Sequence, residues 1–180
     1  MKHIVALLAL VFITACATLQ TPTLQSPLVW RYDGSASYES QSPGLGFSNR
    51  YSSKSGWIDV YVYSLRRLNW EPGVGDPQFG THFESTVEES RIFERQGAYV
   101  GVNVGRPRDV SISGQWFRTV SFQYSRGGKP MHTTTYLSAR NGQLLKYRVS
   151  IFAASGLDVD TIAKQFIEEN LRNDPSATKV

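Results

Sequence analysis

Residues 131–152 read MHTTTYLSARNGQLLKYRVSIF, and this stretch gives the strongest indication of how the chain folds. Two segments rich in β-branched and aromatic residues, 131–139 and 144–152, flank the dipeptide Asn141-Gly142. Both residues of that dipeptide tolerate positive φ, as the turn of a two-residue β-hairpin requires. The sequence therefore predicts that the two segments pair as antiparallel strands.

The segments before this hairpin extend it into an antiparallel meander. Residues 116–124 form a predicted strand that turns back through residues 126–129, where two glycines lie side by side. Shorter or bulged strand pieces are predicted at residues 100–104 and 110–113, which are rich in valine.

Two more strands are predicted nearer the N-terminus, at residues 46–51 and 57–65. The second carries apolar side chains at both parities, which is typical of a central strand covered on both faces. Asp59 interrupts one of these faces and needs a hydrogen-bonding partner if it is buried.

Two amphipathic helices complete the pattern. Asp76-Pro77 supplies an N-cap and a proline at the first helical position, Gly97 ends this helix, and Asp158 caps the second one. The apolar residues at helical spacing are Phe79, Phe83 and Val87 in the first helix and Val159, Ile162, Ala163, Phe166, Ile167 and Leu171 in the second. Each stripe is expected to face the core.

The element order is strand, strand, helix, three or four strands, helix. It predicts an α+β fold, with a mostly antiparallel sheet of about five to seven strands sandwiched by two helices in a single domain over residues 41–175. Residues 28–32 are more apolar than a free tether requires, and whether they join the sheet as an extra edge strand stays open.

The start of the domain resembles the PsbP-like superfamily, whose domains often begin with a Gly-Phe-Ser hairpin and carry Gly-Trp before the second strand. This likeness is carried by Gly46-Phe47-Ser48, Tyr51 and Gly56-Trp57, and the element order extends it over residues 41–174. The proline usual after the tyrosine is replaced by Ser52-Ser53. The resemblance implies a binding or assembly protein rather than an enzyme.

The N-terminal residues predict an export signal. Lys2 provides a charged start, and residues 4–15 are almost wholly apolar. Because a transmembrane helix needs about 20 consecutive apolar residues, this run is too short to span a bilayer. Residues 1–15 are therefore predicted to be a cleaved signal peptide.

The end of this run, Ile13-Thr14-Ala15-Cys16, resembles the bacterial lipobox. In that family the cysteine is lipidated on sulfur, becomes the first residue after cleavage and usually gains a further acyl chain on its amine. Several acyl chains give near-permanent anchoring, which a single chain does not. We therefore expect Cys16, the only cysteine of the chain, to attach the protein to a membrane. The alternative is that Cys16 is an ordinary small apolar residue inside a signal or anchor helix.

The residue after the cysteine bears on the destination. Ala17 stands where an aspartate would resemble an inner-membrane retention signal. For a Gram-negative source, the resemblance thus implies an outer-membrane lipoprotein that faces the periplasm. Residues 16–40, rich in Thr, Ser, Gln and Pro, are predicted to be a polar tether. An acylated Cys16 leaves no free thiol for nucleophilic, redox or metal chemistry.

Composition and motifs exclude several classes of protein. A chain with 41% hydrophobic and 19% charged residues is not intrinsically disordered, and one cysteine excludes a disulfide-stapled miniprotein. The sequence contains no nucleophile elbow, phosphate-binding loop or zinc-protease motif. We expect no catalytic residue, cofactor or metal ligand, although a Ser-His-Asp arrangement or a metal site around His82 or His132 stays an alternative.

Charge is unevenly placed along the chain. Residues 99–157 contain eight basic residues against the single acid Asp109, whereas the two predicted helices are acidic. Glu84, Glu88 and Glu89 are expected to form a solvated helix face with the neighbouring arginines rather than an acid/base pair.

Strand parity gathers some of these basic residues. Arg118 shares a strand face with Trp116, and Lys146 shares one with Arg148. If the two faces coincide, they form a basic, aromatic-flanked patch suited to an anionic envelope polymer, lipid or protein, whereas nucleic acid is not expected. The alternative is that these charges neutralise the acidic helices internally.

A second candidate interface is the loop of residues 66–72. It carries Arg66, Arg67 and Trp70, and tryptophan and arginine often dominate protein interfaces. The alternative is that Trp70 folds back into the core.

Together these patterns predict a lipid-anchored cell-envelope protein that binds or helps assemble a partner without catalytic turnover. Two alternatives stay open. One is an envelope hydrolase that uses a histidine with strand-borne Ser or Thr residues, and the other is a structural spacer.

Overall fold

The computed structural model describes residues 28–173, and within them the chain forms eight strands and two α-helices. In chain order these are β1 (Arg31–Ser37), β2 (Phe47–Ser53), β3 (Gly56–Tyr63), α1 (Phe79–Arg95), β4 (Val100–Val104), β5 (Arg108–Ile112), β6 (Gln115–Arg126), β7 (Lys129–Arg140), β8 (Gln143–Phe152) and α2 (Val159–Asn173). A short 3₁₀ turn at Ala153–Ser155 joins β8 to α2.

All the strands belong to one antiparallel sheet. Its order is β1-β2-β3-β8-β7-β6-β4, and β5 pairs with the other half of β6 on the same side as β4. The predicted β7–β8 hairpin is confirmed, with φ of 52° at Asn141 and 74° at Gly142. The pairing of β3 with β8, from Gly56 opposite Ile151 to Tyr63 opposite Leu144, joins the N-terminal strands to the meander.

Each face of the sheet has its own core, and we call the two sides the α1 face and the α2 face. The buried core of the α1 face includes Tyr63, Phe79, Phe83, Val87, Val120, Phe122, Tyr124, Met131, Leu137 and Leu144. The buried core of the α2 face includes Ile58, Val60, Phe117, Tyr136, Tyr147, Val149, Ile151, Phe166 and Ile167. The apolar residues at both parities of β3 and β8 are thus explained by burial on both sides of the sheet.

The predicted fold class, an α+β sandwich of a mostly antiparallel sheet between two helices, is confirmed. The sheet is wider than the expected five to seven strands, because β1 lies within residues 16–40, which were predicted to be a tether. β1 pairs with β2 from Arg31 opposite Ser52 to Ser37 opposite Phe47, and its register shifts between Tyr32 and Gly34. The signal peptide and the lipobox lie outside the described residues.

Helix α1 begins at Phe79 rather than at Pro77. The Asp76 carboxylate accepts a hydrogen bond from the backbone N–H of Gln78 at 2.9 Å, and its carbonyl accepts one from the N–H of Phe79 at 2.9 Å. Asp76 therefore closes a turn that precedes the helix. The predicted end of the helix at Gly97 is confirmed by its φ of 73°.

The helices do not cover the whole width of the sheet. Helix α2 lies mainly over β7 and β8, and α1 contributes its apolar stripe to the core above β6, β7 and β8. Most of the β1–β2 hairpin therefore extends beyond the helical layers, although Phe166 of α2 reaches Tyr51 of β2 on the α2 face.

Truncation of Phe166 tests the packing of α2. Its ring is buried, with its centroid 5.0 Å from that of Tyr51 and 6.3 Å from that of Tyr147. We expect Phe166→Ala to lower the free energy of unfolding by about 3–5 kcal/mol, because it removes a buried ring and leaves a cavity. The exposed neighbour Gln165 is the control, and Gln165→Ala is expected to change stability by less than about 0.5 kcal/mol in urea unfolding. Equal losses for the two variants would contradict the assigned core.

Candidate functional site

The predicted basic patch lies on the α1 face of the sheet. Lys146 is opposite Leu137, which is in turn opposite Arg118, so the two cations occupy one row across β8, β7 and β6. Arg148 lies one row further along β8, and Trp116 lies next to Arg118's row on β6. Strand parity paired Arg118 with Trp116 and Lys146 with Arg148, and the registers bring the two pairs to one face.

This face is covered, however, and the cations have partners inside the domain. Lys146 is 8% exposed, and its Nζ lies 3.3 Å from a carboxylate oxygen of Glu89 on α1. Arg118 makes a bidentate pair with Asp109, at 2.7 and 2.9 Å. Lys146 and Arg118 therefore do not form an open basic patch. The alternative, that their charges are neutralised inside the domain, describes these two residues better.

Lys146 sits in an aromatic environment under α1. Its Nζ lies 4.7 Å from the ring centroid of Tyr61 and 5.8 Å from that of Tyr63. Burial lowers the pKa of Lys146 from its ordinary value, and the nearby carboxylate of Glu89 acts in the opposite direction. The ammonium thus holds α1 onto the sheet by its pairing with Glu89.

Arg148 belongs to a chain of hydrogen bonds on the same face. Its Nη2 donates to the Tyr99 hydroxyl at 3.0 Å, and the Tyr99 ring stacks on Tyr124 at 4.1 Å. The Tyr124 hydroxyl is 3.0 Å from that of Thr133, which donates to Ser150 at 3.0 Å. These polar groups satisfy one another within the sheet.

The buried carboxylate of Asp59 is paired with Arg50. Its carboxylate accepts two hydrogen bonds from the guanidinium of Arg50, directly opposite on β2, at 2.7 and 3.0 Å. Arg50 itself remains largely exposed beside the uncovered hairpin.

His82 and His132 lie on different faces and in different environments. The Nε2 atom of His82 is 2.7 Å from the hydroxyl of Tyr63, so its polar contact is a phenol rather than a serine or threonine. Burial lowers the pKa of His82 from its usual value of 6.5, and Lys146 adds to this effect. His132 is half-buried on β7, between Gln123 and Ile151 of the neighbouring strands.

Two neighbouring acidic residues of α1 have different partners. Glu88 is part of the expected solvated face and pairs with Arg91 at 3.6 Å and with Arg95 at 2.9 Å. Glu89 instead turns towards the sheet and Lys146. Both side chains remain partly exposed, at 42% and 46%, so Glu89 lies on the solvated face and also reaches the buried Lys146.

The candidate interface loop is fixed to the domain by Trp70. This side chain is 4% exposed, and its Nε1 donates to the carbonyl of Ser64 at 2.8 Å. Arg67 lies over its ring at 4.5 Å and pairs with Asp76 at 2.7 Å, which holds the pKa of that carboxyl below its usual range. Trp70 is thus the core plug named as the alternative, and it is not available to a partner.

Arg66 and Leu68 of this loop are exposed, and Leu68 is a hydrophobic side chain that is 91% accessible. Leu65 and Arg66 have φ of 55° and 63°, and this left-handed backbone ends β3 before the predicted position. Arg66 Nε donates to the carbonyl of Pro43 at 2.9 Å, so the loop is held on its outer side as well. Trp116, the aromatic member of the predicted patch, is 53% exposed.

A groove that sequence reasoning missed lies on the α2 face. It is formed where the C-terminal half of α2 leaves the β2–β3 part of the sheet uncovered, and it has a volume of about 740 Å³. Its apolar lining includes Trp30, Phe47, Tyr51, Val62, Leu145 and Phe166, and we call it the Trp30 groove. The amides of Asn49 and Asn173 and the carboxylate of Glu169 lie at its wall.

Trp30 separates this groove from a second cavity. Its ring meets Phe166 edge-on at 6.3 Å, and both residues also line a cavity of about 890 Å³ near the start of α2. Leu28, Lys54 and Ile162 line this second cavity. The signal in the sequence was the apolar segment at residues 28–32, of which Leu28 and Trp30 line both spaces.

Within residues 28–173, no three His, Cys, Asp or Glu side chains are grouped so that they could hold a metal ion. Neither α-helix of this part of the chain is long and apolar enough to cross a membrane.

Comparison with known proteins finds several solved structures that are similar to this chain. No protein-family model and no curated protein matches the sequence. The solution structure of the cyanobacterial PsbP protein (CyanoP) from Synechocystis sp. PCC 6803 is similar with a TM-score of 0.45 and 16% identity, over 74% of this chain and 75% of that one. A protein of unknown function from Pseudomonas aeruginosa, PA94, described as a putative regulator, is similar with a TM-score of 0.37 and 14% identity, over 89% of this chain and 88% of that one. At these values neither neighbour indicates what this chain does.

The pair formed by Lys146 and Glu89 can be tested by a double-mutant cycle. We expect Glu89→Gln to destabilise the domain by about 1–3 kcal/mol, because it leaves a buried ammonium without its partner. Lys146→Met is expected to cost less, since it removes the buried charge itself, and adding Glu89→Gln to it is expected to have little further effect. Glu88→Gln, which breaks only exposed pairs, is the control and is expected to cost less than about 1 kcal/mol in urea unfolding. Additive losses in the cycle would show that the two residues do not interact.

Proposed function

We propose that this chain is a lipid-anchored binding protein of the cell envelope, that it acts without catalytic turnover, and that the Trp30 groove receives its ligand. The observation that carries the proposal is the groove itself. Its volume of about 740 Å³ falls in the range of small-molecule sites, and its lining is mainly aliphatic and aromatic with a few polar groups.

The lining indicates the chemistry of the ligand. Trp30, Tyr51 and Phe166 meet edge to face, at 6.3 and 5.0 Å, and form an aromatic wall. Phe47 is 39% exposed at the mouth of the groove, and Val62 lies on its floor. The amides of Asn49 and Asn173 supply both donors and acceptors of hydrogen bonds. We therefore propose a small amphiphile, with an apolar body in the groove and a polar end without negative charge at the asparagines and Glu169.

The anchor is the second part of the proposal. Residues 13–16 resemble a lipobox, and Cys16 would carry the acyl chains that hold the protein at the outer membrane, on its periplasmic side. With eleven residues between Cys16 and Leu28, the chain between them spans at most about 40 Å, so the domain stays close to the membrane surface.

Mass spectrometry of the purified protein tests the anchor. The expected mature chain begins at Cys16, and its mass exceeds that of residues 16–180 by two or more acyl chains. The Cys16→Ser variant is the control and is expected to lack these additions. An unmodified Cys16 or an intact Met1 would contradict the proposal.

The groove is tested with N-phenylnaphthylamine, an apolar probe whose fluorescence rises in an apolar site. We expect Val62→Glu to weaken the binding of the probe at least about tenfold, because a carboxylate on the floor must either lose its hydration or close the groove. Val100→Glu is the matched control, since Val100 is 66% exposed on β4 and lies outside the groove.

A second, milder variant is needed because Val62→Glu could unfold the domain. Phe47→Ala removes a ring at the mouth of the groove and is expected to weaken the probe by about tenfold while the domain stays folded, as judged by near-UV circular dichroism. Equal probe affinities in the wild type, Phe47→Ala and Val100→Glu would overturn the groove as the binding site.

A further inference from the structure

Three connections of the chain meet at one end of the sheet. The registers place the β2–β3 turn, the β6–β7 turn and the end of β8 side by side: Gly56 is opposite Ile151, Phe152 is opposite Met131, and Tyr124 completes that row on β6. We call this the turn end of the domain, formed by residues 53–57, 126–130 and 152–157.

The turn end is positively charged. Its charged residues are Lys54, Arg126 and Lys129, and the nearest acid in the sequence, Asp158, follows directly after residue 157 and lines one cavity with Lys54. Arg126 and Lys129 are exposed at the two sides of a tight turn through Gly127-Gly128, and neither forms a salt bridge with another residue of the described part of the chain. This differs from Arg118 and Lys146, whose charges are neutralised within the domain.

Two half-buried aromatic side chains lie directly below these cations. The rings of Trp57 and Phe152 meet edge-on at 6.0 Å. The guanidinium of Arg126 lies 5.4 Å from the centroid of Trp57, and the ammonium of Lys129 lies 5.4 Å from that of Phe152. Aromatic rings with one apolar and one wet side, next to long basic side chains, are the combination that settles at the interface between lipid headgroups and water.

The path of the chain indicates which surface this end meets. β1 begins here, because Arg31 is opposite Ser52, and Leu28 lines one cavity together with Lys54 and Ser155. The segment that leads back to Cys16 therefore leaves the domain beside the turn end. A membrane anchor at Cys16 lies within about 40 Å of this point along the chain.

We infer that the turn end is a docking surface for a bilayer that contains anionic phospholipids, with Lys54, Arg126 and Lys129 on the headgroup phosphates and Trp57 and Phe152 at the headgroup level. This inference rests on the proposed anchor at Cys16 for the place of the membrane, but not on the Trp30 groove. Docking by this end fixes the orientation of the domain, so that the loop with Leu68 points away from the bilayer.

Labelling of lysines on the vesicle-bound protein tests this inference. The full mature protein is inserted into vesicles of phosphatidylcholine, or of phosphatidylcholine with phosphatidylglycerol, and treated with a water-soluble amine-reactive ester that is followed by mass spectrometry. We expect Lys54 and Lys129 to react at least about tenfold more slowly on the anionic vesicles, because each cation near such a surface adds to docking. Lys164, exposed on α2, is the internal control and is expected to react at equal rates.

Variants separate docking from other causes of protection. Arg126→Glu is expected to restore the reactivity of Lys54 and Lys129, whereas Arg106→Glu, an equal change of charge away from the turn end, is expected to leave them protected. Protection is also expected to disappear near 1 M salt, where the screening length is only about 3 Å. Equal labelling on the two kinds of vesicle, or protection that survives Arg126→Glu, would overturn the inference.

The docking inference can be tested even if Cys16 carries no acyl chains. A chain that lacks acyl groups does not float with the phosphatidylcholine vesicles, and this contradicts the anchor alone. Such a chain still reports on docking, because its flotation with the anionic vesicles and the labelling of its lysines depend on the turn end.

Discussion

The pairing of β3 with β8 is the interaction on which the rest of the structure depends. These strands come from distant parts of the chain, and their register over Gly56–Tyr63 places the N-terminal hairpin beside the C-terminal meander. Both strands are buried on both sides, so the cores under α1 and α2 each use one half of their side chains. At Gly56 the backbone of β8 approaches so closely that a Cβ atom would lie 2.0 Å from the carbonyl oxygen of Ser150. A residue other than glycine at this position would force the central pair apart and disturb both cores together.

Much of this architecture is readable from the sequence, for local reasons. Asn141-Gly142 and Gly127-Gly128 have backbone freedom that few other residues share, and each marks its turn wherever the flanking strands lie. The stripe of α2 repeats at helical spacing and faces the sheet as expected. Strand β1 is different, because Arg31–Ser37 is mostly polar and exposed, and only its pairing with β2 makes it a strand. Such long-range pairing leaves no periodic pattern in the segment itself.

The candidate sites were harder to predict, because parity assigns a side chain to a face but does not say what covers that face. Arg118 and Lys146 do share one face of the sheet, yet Glu89 of α1 lies over Lys146, and Asp109 on β5 binds Arg118. Similarly, Trp70 follows two arginines in a polar loop, but its indole fills the space beside His82. The Trp30 groove exists because α2 covers only part of the sheet. This depends on how α2, β2 and β3 pack together, and no single segment shows it. The aromatic and basic residues of the turn end come from three separate segments and meet only through the register.

The register shift between Tyr32 and Gly34 affects how readily two copies of the protein could pair through β1. β1 is an edge strand, and a straight, regular edge offers its free amides and carbonyls to the edge of another copy. The shifted register, with the Arg31–Asp33 ion pair beside it, interrupts that row. An edge interrupted in this way is a poorer template for a second copy, which opposes the joining of sheets edge to edge.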